Sequence, residues 1–189
     1  MAHIPESLDV LEKQDIYSLW KRGMPEDVES QVKLLCIEYR NATPKDRSVV
    51  RSIVSRKATW VILQFAVTMA TRAMQNKDKE SLGFGISALV LSNIVDVDLR
   101  DALEPVARLA YAAQQCGLEL AEYTTAICPE VSPKLMEWIR KPRPVHVGQD
   151  ANGNLVFKRT AEAEARRTHW NELIKAHREK RESSKNRSS

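Results

Sequence analysis

The chain has 189 residues, of which 43% are hydrophobic, 29% charged and only 6 are glycine; this is enough to bury a core in one domain with an appended tail. That composition excludes collagen-like, disulfide-scaffold and wholly disordered classes. The net charge of +4 is unevenly placed: residues 1–140 hold 17 Lys and Arg against 19 Asp and Glu, whereas residues 141–189 hold 12 against 6, so any acidic partner would be met through the tail alone.

The first residues, Met1-Ala2-His3-Ile4-Pro5-Glu6, are polar and acidic and do not read as a secretory signal. Ser7 is expected to cap a helix running to Arg22, with Gly23 as its stop. Pro25 suits the first position of a second helix, with Glu26 and Asp27 at its positive end. Its apolar face is Val28, Val32, Leu35 and Tyr39. Thr43-Pro44-Lys45-Asp46 is a strong helix start, with Val49, Val50, Ile53 and Val54 expected inward and Arg47, Arg51 and Lys57 outward. The stretch 58–71 is the most apolar in the chain, yet its roughly fourteen residues fall short of the ~20 a membrane span needs. It reads as a helix surrounded by others, and average helix lengths favour a break near Ser55 over one helix across 44–76.

Asn76-Lys77-Asp78-Lys79-Glu80 is a polar connection to another apolar helix. Asp98 is expected to cap the next, which shows Leu99, Leu103, Val106 and Leu109 and stops at Gly117, with Pro105 forecasting a kink or a late start. A shorter helix covers 118–127, and Ser132-Pro133 begins one carrying Leu135, Met136, Trp138 and Ile139. After Pro144, two alternating segments around Gln149-Asp150-Ala151-Asn152-Gly153 read as a β-hairpin. Thr160 then starts a Glu-, Ala- and Arg-rich helix to about Arg181. The expected organisation is a helical domain over 5–140, a Pro-rich linker and hairpin over 141–158, a basic amphipathic helix over 159–182 and a disordered tail over 183–189.

The fold class that follows is all-α, with six to seven helices as antiparallel hairpins. Expected starts near 7, 25, 44, 79, 98 and 118 are mostly nineteen to twenty residues apart, so helix pairs have the length of HEAT or armadillo units. The segments Leu82-Gly-Phe-Gly-Ile-Ser-Ala-Leu-Val-Leu and Asp98-Leu-Arg-Asp-Ala-Leu-Glu-Pro-Val-Ala-Arg-Leu-Ala-Tyr resemble uncharacterised bacterial HEAT-like all-helical proteins over residues 44–128. These are packing motifs, and the resemblance implies no activity.

Motifs for chemistry are weak. Gly83-Phe84-Gly85-Ile86-Ser87-Ala88 fits the dinucleotide pattern on paper, but a strand must precede that turn and here the preceding residues are polar and charged; close helix approach is the better reading. Asp96-Val97-Asp98-Leu99-Arg100-Asp101 fails as a calcium loop, because Asp101 stands where glycine is needed and Ala107 where a bidentate Glu belongs. None of His3, His146, His169 and His177 lies at ligand spacing from another, so no metal or cofactor is expected. Cys36, Cys116 and Cys128 form no CxxC and read as buried free thiols of a reducing, cytoplasmic compartment.

The last helix is the one candidate site. Trp170, Leu173, Ile174 and His177 form a stripe on a basic background that includes Arg166 and Arg167. Three readings compete: docking back onto the chain's own bundle, anchoring in a partner protein's groove, or lying along nucleic acid. The interleaved Glu162, Glu164, Glu172, Glu179 and Glu182 weigh against the last. The expected function is a non-catalytic protein-interaction or scaffold protein whose partner is another protein. The alternatives are a nucleic-acid-associated protein using the basic tail, and an enzyme whose site folding assembles from distant helices.

Overall fold

The computed structural model describes residues 8–92, 99–128, 130–140, 145–152, 155–159 and 161–186. Ser7, Asp96, Asp98, Pro144, Gly153 and Thr160, to which the sequence assigned caps, loops and turns, lie outside them. The described residues are mostly helical, and the chain divides into two compact units, Met1–Pro142 and Arg143–Ser189.

In the first unit the helices are α1 (Asp9–Glu12), α2 (Ile16–Arg22), α3 (Glu26–Asn41), α4 (Pro44–Ile53), α5 (Arg56–Asn76), α6 (Lys79–Leu91), α7 (Leu99–Gln115), α8 (Leu120–Ile127) and α9 (Pro133–Arg140). Local chemistry sets most of their ends. The Asp46 amide donates to Thr43 Oγ1 at 3.2 Å while that hydroxyl donates to the Asp46 carboxylate at 2.8 Å, a reciprocal cap on α4. Ser55 accepts from the Ala58 amide at 3.1 Å, which separates α5 from α4 at the expected break. Gly117, at φ +71°, lets the Leu118 amide reach back to the Ala113 carbonyl at 2.8 Å and close α7.

Four details differ from expectation. The first helix is not continuous to Arg22: α1 ends at Glu12, and α2 starts after Asp15, whose carboxylate accepts from Ser18 Oγ at 2.9 Å. Pro25 stands one place earlier than expected, as the cap of α3, with its carbonyl accepting from the Glu29 amide at 2.9 Å. The proline in α7 does not delay that helix, which begins at Leu99. Proline removes one main-chain donor, and the buried run Val106, Ala107, Leu109, Ala110, Ala112 and Ala113 outweighs the loss. On α4, Val50 is buried but Val49 is exposed, and Arg47 turns inward with a side chain only 12% exposed. Tyr39 on α3 accounts for that rotation, because its carbonyl accepts from Arg47 Nε at 3.2 Å and its hydroxyl accepts from Arg51.

The core is centred on α5, which packs most extensively against α6 and α7. Phe65, Ile62 and Met69 of α5 are fully buried, as are Leu82, Ile86, Leu89 and Leu91 of α6 and Leu109 of α7. A methyl added at Gly85 would stand 2.7 Å from Leu109 Cδ2, 3.3 Å from the Ala66 carbonyl oxygen and 3.3 Å from Met69 Cβ. The paired glycine of the paper motif therefore serves helix contact, with no strand preceding it among the described residues. Across the α3–α5 seam, Arg72 grips Glu29 with both nitrogens, at 2.6 and 3.1 Å, and Lys33 adds an ion pair at 3.0 Å.

In the second unit β1 (Val145–Gln149) pairs antiparallel with β2 (Leu155–Arg159), with Val147 opposite Phe157. The helix α10 (Ala161–Asn186) follows. It runs past the expected end near Arg181 through Glu182-Ser183-Ser184-Lys185-Asn186, where Ser183 Oγ donates to the Glu179 carbonyl at 2.9 Å.

Two predictions follow from these contacts. Gly85→Ala should destabilise the fold by about 1–3 kcal/mol through overpacking, read as a lower melting temperature. Gly83→Ala meets nothing nearer than 3.6 Å and should be neutral or stabilising by up to about 1 kcal/mol, since alanine favours helix. An equal loss in both variants would contradict the contact argument. The second concerns Glu29, whose carboxyl is held down at about 2, chiefly by the hydrogen-bonded Arg72 guanidinium, against an ordinary value of 4.5. A depressed carboxyl adds stability above its unfolded value and loses it as pH falls through the folded one. Glu29→Gln should therefore cost about 1–2 kcal/mol near neutrality, allowing for solvent around Arg72. In denaturant melts that gap should close between about pH 4.5 and pH 2.

Candidate functional site

The helix α10 places residues 166, 170, 173, 174 and 177 at helical spacing on one side. Of Arg166, Arg167, Trp170, Leu173, Ile174 and His177, the side chain of Leu173 alone is among the described ones, and it is 49% exposed. Around it His169, Asn171, Glu172, Lys175 and Ala176 are also exposed. The Lys175–Glu179 pair at 4.0 Å is a solvated ion pair one turn apart, of small energetic weight.

A second constellation was not singled out by sequence reasoning. It lies at the α3–α4 corner and draws on α3, α4, α6 and the segment after α8. Arg47 Nη1 pairs with the Glu130 carboxylate at 3.2 Å, the carboxylate side chain being 53% exposed. Arg51 donates to the Tyr39 hydroxyl, with its guanidinium carbon 5.4 Å from that ring's centroid. Arg40 rests its guanidinium 5.0 Å from the Phe84 ring centroid, and Lys33 approaches the same ring at 5.7 Å. The Nε atoms of Arg40 and Arg51 are buried without a hydrogen-bond partner among the described residues.

Two thiols lie beneath these arginines. Burial pushes the Cys36 thiol up to about 12, with Arg40 opposing the shift. The Cys128 thiol is raised by burial as well, opposed by a hydrogen bond with Ser87 and by the positive charges of Arg40, Arg47 and Arg51. Three guanidinium groups thus bear on one buried thiol. The signal available in the sequence was Arg40, Arg47 and Arg51 within twelve residues of one another. The helical pattern assigned two of them to solvent, and only the contact with Tyr39 reverses it.

Other candidate chemistry finds no assembly. Among the described residues no group of three or more His, Cys, Asp or Glu is placed to hold a metal ion, and no helix is long and apolar enough to cross a membrane. Cys36, Cys116 and Cys128 are free thiols; Cys36 and Cys128 are buried, whereas Cys116 is only half-buried, a departure from the expected burial of all three. It sits where α7 ends, its Sγ donating to the Ala73 carbonyl oxygen at 3.7 Å.

No protein-family model matches this chain, and no curated protein or solved structure matches it either.

The thiol environments make a direct prediction. Reactivity follows thiolate fraction and access, so a disulfide reagent at about pH 8 should modify Cys116 first in the native protein. Cys36 should react only on unfolding. Cys116→Ser should abolish the fast phase and Cys36→Ser should leave it intact; the reverse pattern would refute the assignment.

Proposed function

We propose that the chain is a non-catalytic protein-interaction or scaffold protein of the cytoplasm, with a HEAT-like body of antiparallel helical hairpins and α10 as its docking element. The observation that carries this reading is Leu173, a leucine about half exposed on a long charged helix. In the sequence it stands with Trp170, Ile174 and His177 at i, i+3, i+4 and i+7, the spacing by which a helix lays one face into a groove. The free thiols, two buried and one half-buried, suit a reducing compartment. The nucleic-acid reading draws on the 12 basic residues against 6 acidic ones in 141–189. The acids interleaved with them make it the weaker of the two.

The test separates anchor from charge. The full chain, Trp170→Ala and the double variant Arg166→Glu/Arg167→Glu are compared in binding to a captured protein partner and to duplex DNA across a salt series, with a melt on each. For a groove anchor, Trp170→Ala should cost about 2 kcal/mol or more of affinity, as buried aromatics do at hot spots. Salt should matter little. For nucleic acid, the charge reversal should weaken binding more, and the log–log salt slope should approach about −0.9 per phosphate contact. A Trp170→Ala variant that melts lower and binds unchanged would show that α10 packs against its own chain, and would overturn the docking role.

A further inference from the structure

Tyr39 holds two of the three arginines: its main-chain oxygen accepts from Arg47 and its hydroxyl from Arg51. Arg40 reaches the end of α8 beside Ile127, three residues before the Glu130 that pairs with Arg47, and the charges of all three bear on the Cys128 thiol. Among the described residues the carboxylate paired with these three guanidinium groups is that of Glu130, on Arg47. Arg40 is stacked on Phe84 with its Nη1 about 4.0 Å from the position a Cβ would take on Gly83, and the Tyr123 hydroxyl is 3.6 Å from the same point.

Three features point to a ligand. The first is charge: among the described residues these three cations have one paired carboxylate, an excess of two positive charges. A phosphate monoester carries about −1.5 to −2 at neutral pH and would balance it. The second is unused donor capacity. A guanidinium presents five N–H donors in a planar fork suited to phosphate oxygens, yet Arg40 and Arg51 each bury an Nε with no acceptor among the described residues. Buried donors ordinarily have partners, and an orphan marks a place where water or an ion completes the set. The third is that the acidic partner is replaceable. Glu130 is more than half exposed and follows α8 in a short connection, whereas Arg47 is almost fully covered.

We propose that Arg40, Arg47 and Arg51 form a binding site for a dianionic phosphate group at the α3–α4 corner, with the Glu130 carboxylate competing for Arg47 and yielding to the ligand. The site is independent of α10 and of the docking role proposed for it. Phe84 fixes the Arg40 plane and Tyr39 fixes the other two arginines, so little side-chain freedom is lost on binding.

The experiment titrates the full-length protein with inorganic phosphate, and separately with O-phosphoserine, at constant ionic strength balanced with chloride, following heat of binding and melting temperature. Saturable binding with a rising melting temperature is expected, since a ligand that binds only the folded state stabilises it by mass action. Acetate at the same ionic strength should do nothing. Tighter binding of O-phosphoserine assigns the site to phosphate esters, and equal binding assigns it to free phosphate; both uphold a phosphate site. Arg40→Gln should weaken binding by about tenfold or more, because it removes a charge-assisted fork. Glu130→Gln should tighten binding severalfold by removing the competitor. That variant lies at the surface, so it remains informative if Arg40→Gln melts too low to measure. A purely bracing role predicts the opposite pattern: no saturable phosphate response beyond chloride, or binding that survives Arg40→Gln, or binding weakened by Glu130→Gln. Each of these results would overturn the proposal.

Discussion

At Gly85 the backbone of α6 comes close to α5, and Leu109 of α7 fills the space a side chain would take; this approach organises the larger unit. Glycine in a helix interior costs about 1 kcal/mol against alanine, so its presence there needs a reason, and the surrounding atoms supply one. The Ala66 carbonyl, Met69 Cβ and Leu109 Cδ2 already occupy the space a methyl would claim. With α6 seated that closely on α5, it is buried on almost every side from Ser81 to Leu91. That explains why its residues show no polar face. The second-order consequence is that α5, which lies against both α6 and α7, must be apolar around most of its circumference as well.

A helix buried this thoroughly keeps its charged side chains at its start. Asp78 caps α6 there: its carboxylate accepts from the Glu80 amide at 2.9 Å and from Ser81 Oγ at 2.6 Å, and the Ser81 hydroxyl holds its pKa below the ordinary value. Inside the helix, Ser87 returns its hydroxyl to the Gly83 carbonyl at 2.8 Å, so burial leaves no donor stranded. Ser92 does the same toward Leu89 at 2.8 Å. The small hydroxyls are thus compatible with the core because the helix itself satisfies them.

What could be read from the sequence was what local chemistry controls. Thr43-Pro44, Ser55, Gly117 and Ser132-Pro133 act within a few residues of themselves, and each stands at a helix boundary. The face of α3 was legible too, since Val28, Val32, Leu35 and Tyr39 extend over three turns and are all buried. On α4, with ten residues, the pattern misleads: two adjacent valines and two arginines leave the rotation undecided, and Val49 points out while Arg47 turns in. The deciding partner is Tyr39, eight residues from Arg47 and twelve from Arg51 on another helix. No periodicity within α4 contains that information. On α10 the opposite holds: the apolar stripe was legible, and exposure at Leu173 is what the sequence had no means to state.

Charge arithmetic over long segments hides the same kind of fact. Residues 1–140 carry 17 basic and 19 acidic side chains, and the sum reads as an unremarkable neutral body. Electrostatic effects depend on separation and on exclusion of water rather than on totals. Glu29 spends its charge on Arg72 and Lys33 across the α3–α5 seam, away from the corner of Arg40, Arg47 and Arg51. Partly covered guanidinium groups lose solvation, and aromatic faces return only part of it. The corner is therefore a local excess of positive charge held in place by the tertiary fold of a segment whose overall charge is slightly negative. Any counter-charge that settles there, whether the Glu130 carboxylate or a ligand, stabilises the α3–α4 packing that created it.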